Sequence, residues 1–436
     1  MREIVSIRGS ISLLKITIMK VNTLVLKVAS RCNLNCTYCY MYNVGDNTYL
    51  KQPKFMSYKT VDAILDKIII HHKRKKLKQF NFVFHGGEPL LMKKEFFYYF
   101  IENANKRLRD ENNITCIFQL QTNGILLTQE WCEIFNELDI SMGISLDGRR
   151  EDNDKYRVGH KGEGSYDDIL KGFDIAKKFS KKRPGFLCVI NIDADPEDTY
   201  HHFKELNIIP GDFLIPYATT DKPPQKKSKV LGISEATPYA DWLIRIFDIW
   251  RKESIDERLN IKVFNTLIKL ILGKDSSSDN FGNTENSVLL IETDGGIESI
   301  GALKLCGNGF TKQGANINTH TFAQALETSL AKLYHQAHLM LPKKCTACPI
   351  NEVCGGGHIA HRYSKENGFD NPSIYCNDFM KLILHIQNAL VDSFSDEYLE
   401  KNEFEKVSYS EVREYMDNLD LDSLTVPEYK KDLETF

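Results

Sequence analysis

Through the first half of the chain, short apolar β-rich runs alternate with longer stretches whose apolar residues recur at helical spacing. The runs are TLVLKV (23–28), FNFVF (80–84), TCIFQLQ (115–121), SMGIS (141–145), FLCVINI (186–192) and DFLIP (212–216). Between them, SYKTVDAILDKIIIHHKRKK, KKEFFYYFIENANKRL, TQEWCEIFNEL, SYDDILKGFDIAKKF and PEDTYHHFKEL predict helices. Strand and helix in alternation predict right-handed parallel βα units. Six units make an α/β fold, a partial (β/α)6 TIM-type barrel, whose sites form at the carboxyl ends of the strands. Four motifs fall at those ends: CNLNCTYC (32–39), HGGEP (85–89), QTNG (121–124) and SLDG (145–148). One mouth would collect them all.

The second half changes character. In SEATPYADWLIRIFDIWRKE (234–253), Trp242, Leu243, Ile246, Phe247 and Trp250 recur at helical spacing, which predicts a core-facing helix closing the barrel. Ahead of it, TTDKPPQKKSKV (219–230) reads as a solvated Pro/Lys linker or a flap over the mouth. GKDSSSDNFGNTEN (273–286) has linker composition. VLLIETDGGIESIGALKLC (288–306) predicts a hairpin turning at Asp294-Gly295-Gly296. A second cysteine group then anchors a small α+β domain. The expected divisions are an N-terminal extension (1–22), the barrel with its closing helices (23–272), the linker (273–286), the cysteine-anchored domain (287–385) and a helical tail (386–436), whose closing SLTVPEYKKDLETF reads as peripheral.

Composition narrows the class. With 436 residues, 42% hydrophobic and 26% charged, this is an ordinary globular chain longer than one typical core. A net charge of -3 gives no bulk attraction to nucleic acid or membrane, and no uncharged apolar run is long enough to span a bilayer. The first residues are not read as a secretory signal, since Lys15 interrupts the apolar segment and no small-residue cleavage site follows. Eleven cysteines in clusters, without a signal, favour metal over disulfides and a cytoplasmic home.

Cys32, Cys36 and Cys39 place three soft thiolate ligands within eight residues. Structural zinc wants four closed ligands, so three leave it one short. A [4Fe–4S] cluster held by three cysteines keeps one iron open for a small molecule. Cys345, Cys348, Cys354 and Cys376 supply a closed set of four, for a second cluster or for a zinc ribbon. Gly355, Gly356 and Gly357 would offer backbone N–H groups to cluster sulfur. Cys116, Cys132 and Cys188 sit in apolar patterns and read as small core hydrophobes.

Together, CNLNCTYC, HGGEP, QTNG, SLDG, DKYR (154–157) and GEGSY (162–166) resemble the radical S-adenosylmethionine (SAM) superfamily over about residues 23 to 220. The resemblance implies that Cys32, Cys36 and Cys39 hold a [4Fe–4S] cluster whose open iron binds SAM. It implies that Gly86 and Gly87 let backbone approach the ligand, that Glu88 sets an anion beside the ammonium of SAM, and that Pro89 fixes the exit from the strand. Tyr38 would lie beside adenine or pack on the rim; Gln121 and Asn123 belong to the ribose-side turn. Ser145 and Asp147 would touch ribose or carboxylate, and Arg157 the SAM carboxylate, with turn formation and a surface salt bridge as the plain alternatives.

The second cysteine group resembles the SPASM extension of radical SAM enzymes that modify peptides, implying one auxiliary [4Fe–4S] cluster on Cys345, Cys348, Cys354 and Cys376. His358 stands where two-cluster SPASM domains carry another cysteine, and upstream only Cys306 is available where two ligands would be wanted. IESIGALKLCGNGFTKQGANI and CGGGHIAHRYSKENGFDNPSIYC resemble maturases of ribosomally made precursor peptides that join an aromatic ring to a β-carbon as a three-residue cyclophane, although Gly301 replaces an expected acidic residue. The expected reaction is hydrogen abstraction by a 5′-deoxyadenosyl radical, with a flavodoxin- or ferredoxin-type reductant and a precursor peptide as partners, and no catalytic base is assigned. With only residues 1–22 ahead of the barrel, no leader-binding winged helix is expected, so the mouth, the hairpin or a strand edge would recognise substrate. Sulfatase maturation to formylglycine, thioether formation and epimerisation stay open, as does a non-enzymatic zinc-binding module.

Overall fold

Strand burial alternates along the barrel with period two. Leu24, Leu26, Phe80, Phe82 and Phe84 are buried, whereas Val25, Val83, His85 and Gln121 on the opposite face are half-exposed. One face of the sheet therefore packs on helices and the other lines a hollow. The computed structural model describes residues 19–224, 236–276, 278–402 and 405–436. Most of the N-terminal extension (1–22) and the end of the Pro/Lys loop (219–230) lie outside the described residues.

Six parallel strands run in chain order: β1 (Thr23–Ala29), β2 (Gln79–Gly86), β3 (Thr115–Thr122), β4 (Ser141–Ser145), β5 (Gly185–Val189) and β6 (Pro210–Leu214). This is the α/β partial barrel the pattern predicts. Its helices are α1 (Tyr58–Lys75), α2 (Lys94–Ala104), α3 (Gln129–Glu137), α4 (Arg150–Asn153), α5 (Tyr166–Phe179), α6 (Pro196–Glu205), α7 (Pro238–Trp250) and α8 (Lys262–Ile271). Local chemistry sets their starts: Ser57 accepts from Thr60 N at α1, and Asp195 accepts from Glu197 N and Asp198 N ahead of Pro196 at α6. Phenylalanines stitch sheet to helix, with Phe82 5.2 Å from Phe100 and Phe84 5.1 Å from Phe97 between ring centroids.

Long-range pairing adds what local pattern does not show. A two-residue β7 (Asn260–Ile261) extends the sheet beside β6, and β8 (Val288–Ile291) pairs parallel with β1, Thr23 opposite Val288. β9 (Ile297–Glu298) closes the predicted hairpin antiparallel to β8, with Gly295 at φ 81°. The hairpin thus belongs to the barrel sheet as well as to the following domain. That domain carries α9 (Phe322–Leu326), α10 (Ser329–His335), α11 (Lys343–Thr346), α12 (Asn351–Cys354) and α13 (Cys376–Val391), then α14 (Asp396–Asn402), α15 (Tyr409–Asp417) and α16 (Lys430–Glu434). Asp378 of α13 accepts from Tyr239 N at 2.9 Å and Ala240 N at 3.1 Å, capping α7.

Two expectations change. The 273–286 segment has linker composition but is packed: Phe281 is buried against Phe379, Asn286 Nδ2 donates to Tyr334 O, and Gly282 N donates to Val353 O. The closing SLTVPEYKKDLETF is not peripheral either, since Leu433 is buried and Phe369 N donates to Leu433 O. Burial of a few apolar residues outweighs a polar composition in both.

Candidate active site

The loop after β1 is laced to its surroundings by backbone. Asn35 N donates to Val158 O at 2.8 Å and Thr37 N to Tyr156 O at 2.9 Å, while Asn43 Nδ2 donates to Cys36 O. Arg31 Nη1 donates to Tyr49 O at 2.8 Å. These bonds hold Cys32, Cys36 and Cys39 together as half-buried free thiols. Burial pushes the Cys32 thiol up to about 12, opposed by Leu34 N–H, and burial likewise raises Cys36 and Cys39. Arg157 beside Cys36 and Lys27 near Cys39 pull the other way. Such a set turns to thiolate when a cation arrives.

HGGEP works through close backbone packing. A Cβ on Gly86 would lie 2.3 Å from Ala29 O, and one on Gly87 2.3 Å from Arg31 O and 2.1 Å from the Tyr42 hydroxyl. The glycines thus press the β2 end against the cysteine loop, where the sequence had suggested room for a ligand. Glu88, fully buried, accepts from Leu90 N at 2.9 Å, Thr122 Oγ1 at 2.7 Å and Asn123 N at 2.9 Å. Three of its four acceptor sites are filled, so the carboxylate ties β2 to β3 and keeps one site for a further donor. Burial raises its pKa and these bonds oppose the rise. Pro89 opens the short turn that Glu88 caps. Asn123 Nδ2 reaches Asn33 Oδ1 at 2.8 Å, linking the QTNG turn to the cysteine loop.

A second chain of bonds crosses the mouth. Arg157 Nη1 donates to the Tyr38 hydroxyl at 2.8 Å, which donates to Asp147 Oδ2, and Asp147 Oδ1 accepts from Val189 N. Tyr38 therefore bridges Arg157 and Asp147. Arg157 is 7% exposed, and among the described residues its Nε has no hydrogen-bond partner. Gln121 Nε2 donates to Ser145 Oγ at 2.9 Å, in space left by Gly143.

Away from the mouth, Cys345, Cys348, Cys354 and Cys376 line one cavity with Gly356, and Arg413 and Met416 of α15 cover it. Burial raises these thiols too, Cys348 to about 12. Gly355, Gly356 and Gly357 all take positive φ, and a Cβ at Gly355 would lie 1.7 Å from Gly282 O. Gly355 N and Gly357 N donate to Asn351 O and Cys354 O, which leaves Gly356 N–H as the one facing Cys354 sulfur. His358 Nδ1 accepts from Ala360 N, and its ring packs 5.0 Å from Tyr217. Cys306 lies in a separate apolar cluster with Leu303, Tyr334 and Phe369.

Residues 26–207 match the family model described as the radical SAM superfamily. That segment is a radical SAM domain. A cysteine-type anaerobic sulfatase-maturating enzyme of Clostridium novyi (strain NT) is 27% identical over 368 residues, 83% of this chain and 94% of that protein. A serine-type anaerobic sulfatase-maturating enzyme of Bacteroides thetaiotaomicron is 26% identical over 380 residues, 83% of this chain and 88% of that one. The solved structure of native anSMEcpe with bound AdoMet shares the fold, with a TM-score of 0.73 at 24% identity over 85% of this chain and 98% of that one.

The 26–207 domain supplies radical SAM chemistry of the oxidoreductase type, with SAM and [4Fe–4S] as its cofactors. The residues present fit them: three desolvated thiols converge at the mouth beside the orphaned Arg157 Nε, a donor for an anionic ligand. The other four thiols share one cavity. Sequence reasoning missed the hollow's own polar groups. Lys27 Nζ, fully buried, lies 3.4 Å from both the Tyr40 hydroxyl and His85 Nδ1, and Tyr40 packs on Tyr217 at 5.5 Å. The signal was an inward-facing lysine in an otherwise apolar strand. Also missed was the buried ionic knot of Asp46, Glu292, Glu298 and Lys304, drawn from three separate segments. A Cβ on Gly301 would lie 2.9 Å from the Tyr40 ring, so that ring fills the space where an acidic side chain was expected.

Proposed function

We propose that this protein is a maturase that oxidises an unactivated side-chain carbon in a peptide or protein substrate, in the manner of the anaerobic sulfatase-maturating enzymes, converting a cysteine or serine to formylglycine. The observation that carries this reading is the length of the match, which spans 94% of the Clostridium novyi protein and 83% of this chain, well beyond the radical SAM segment. When bound, the open-iron cluster and SAM supply a 5′-deoxyadenosyl radical by one-electron cleavage of the sulfonium. Cys32, Cys36 and Cys39 would hold that cluster. Arg157, kept in place by Tyr38 and Asp147, would meet the SAM carboxylate, and Glu88 has one acceptor site left for its ammonium. The barrel hollow would hold the substrate carbon and exclude water. Cys345, Cys348, Cys354 and Cys376 would hold one auxiliary cluster, and a low-potential flavodoxin or ferredoxin in the cytoplasm would supply electrons.

A second reading, cyclophane formation on a precursor peptide, is favoured by one specific observation. His358 replaces a cysteine of the two-cluster SPASM pattern and Cys306 sits in another apolar cluster, so one auxiliary cysteine set is present where sulfatase maturation was expected to need two. Anaerobically reconstituted protein with SAM and reductant, offered sulfatase-derived peptides and any small peptide encoded beside the gene, separates the readings by mass spectrometry. A hydrazide-reactive aldehyde establishes the first. Loss of two hydrogens with an internal cross-link and no aldehyde establishes the second. Rapid SAM cleavage with every peptide unchanged refutes both.

A further inference from the structure

Arg362 is fully buried in the cysteine-anchored domain, and its guanidinium is bonded to carbonyls alone. Nη1 donates to Ala337 O at 2.8 Å, Nη2 to Met340 O at 2.8 Å and Phe369 O at 3.2 Å, and Nε to Phe369 O at 3.3 Å. Among the described residues no carboxylate pairs with it; Asp370 lies in its field without forming an ion pair. Guanidinium stays charged in proteins, and a buried charge with no counter-charge is costly. Burial presses Arg362 toward its neutral form, and Cys345 and Cys354, as thiolates, press the other way.

The missing anion has a place. Gly356 lines the four-cysteine cavity, and a Cβ there would lie 3.7 Å from both Cδ and Nη1 of Arg362. The cation therefore stands one backbone thickness behind the cavity wall. Four thiolates around a [4Fe–4S] core leave the whole negative, and reduction adds one more negative charge. A fixed cation close by stabilises the reduced form more than the oxidised one.

We infer that Arg362 is the counter-charge of the auxiliary cluster, a positioning residue that raises its reduction potential. This rests on the four cysteines holding an iron–sulfur cluster and is independent of which peptide is modified.

The test is a redox titration of anaerobically reconstituted full-length protein, followed by electron paramagnetic resonance and scored separately for the two clusters. Arg362→Gln is expected to cut the reduced-to-oxidised ratio of the auxiliary cluster at least tenfold at fixed potential, a shift of about 59 mV for one electron. The cluster on Cys32, Cys36 and Cys39 should not shift. Arg362→Lys keeps the charge but not the four carbonyl bonds, so it should lose thermal stability while holding the parent potential. A merely structural role predicts that both variants shift alike, or that neither does, and either result overturns the inference. Should both variants fail to fold, 15N-arginine labelling of an Arg413→Gln protein decides, since Arg413 also lines the cavity: a guanidinium nitrogen still coupled to the reduced auxiliary cluster supports it, and no coupling overturns it. Zinc in place of iron in the four-cysteine site, found by metal analysis, also overturns it and leaves the peptide chemistry to be judged by its own assay.

Discussion

Replacing Lys304 with methionine is the sharpest test of how the hairpin is held to the cysteine loop. Lys304 is 1% exposed, and its Nζ lies 3.5 Å from Asp46 Oδ2, 3.2 Å from Glu292 Oε1 and 3.1 Å from Glu298 Oε2. Each pair is worth roughly 5 kcal/mol at an effective dielectric of about 20, before desolvation of four charges at several kcal/mol each offsets most of it. The substitution removes these three attractions and leaves three carboxylates in the core, with only Glu298 still ion-paired, to Lys312, among the described residues. Loss of one partner of a buried pair costs about 3–5 kcal/mol, and the upper end is expected here. Lys312→Met is the control. Its ammonium is 31% exposed and bonds Glu298 Oε1 at 2.8 Å, so about 1 kcal/mol should be lost. Stranded carboxylates take up protons: their folded-state pKa values rise above the unfolded ones, so the variant gains stability relative to parent as pH falls. Urea unfolding followed by circular dichroism at pH 8 and pH 5.5 reads both effects. A deficit under about 1 kcal/mol at pH 8, or one independent of pH, would refute the reasoning.

Three further outcomes follow from the site. Gly87→Ala must drive a Cβ into Arg31 O at 2.3 Å, so the variant should assemble less than a tenth of parental iron at the first cluster, measured as iron and sulfide in a Cys348→Ala background; full loading refutes the packing account. Arg157→Gln should weaken SAM binding about tenfold or more, the loss of a bond to a charged partner being worth about 1.5–3 kcal/mol, while Tyr38→Phe costs less; equilibrium dialysis decides, and equal affinities contradict the assignment. Burial holds His335 neutral down to about 4, against an unfolded value near 6.5. Folded pKa values depressed in this way make stability complete above pH 6.5 and erode it toward pH 4, by about 2 kcal/mol per histidine at pH 5. His335→Gln should flatten that slope, and an unchanged slope in acid unfolding curves would count against it.

What the chain discloses and what it withholds divide along sequence distance. The strands from β1 to β6 follow from period-two alternation bounded by turn residues, and the motifs at their ends follow because a parallel barrel sends every carboxyl end to one mouth. Cys32, Cys36 and Cys39 need only short-range spacing to be recognised. β8 beside β1 is different: its pairing joins residues 23 and 288, and VLLI carries no mark of which edge it will meet. The knot around Lys304 is hidden for the same reason, since Asp46, Glu292 and Glu298 each read as ordinary surface charges until the fold removes their water.

The glycines show the same division in a more instructive form. From sequence, HGGEP and CGGG both read as backbone bared for a ligand. In the fold, Gly86, Gly87 and Gly355 are glycine because another backbone lies where Cβ would be, and among the triple only Gly356 N–H faces a cysteine sulfur. Close approach of two chains and close approach of a chain to a cofactor demand the same residue. The two demands are met together here, since the segments that press on Gly86 and Gly87 carry Cys32, and Gly356, one step past Gly355, is the residue between the four-cysteine cavity and Arg362. Substitution at Gly87 therefore tests the geometry of the first proposed metal centre, and substitution at Arg362 the electrostatics of the second. A protein that tolerated both with its clusters and potentials intact would not be built as described.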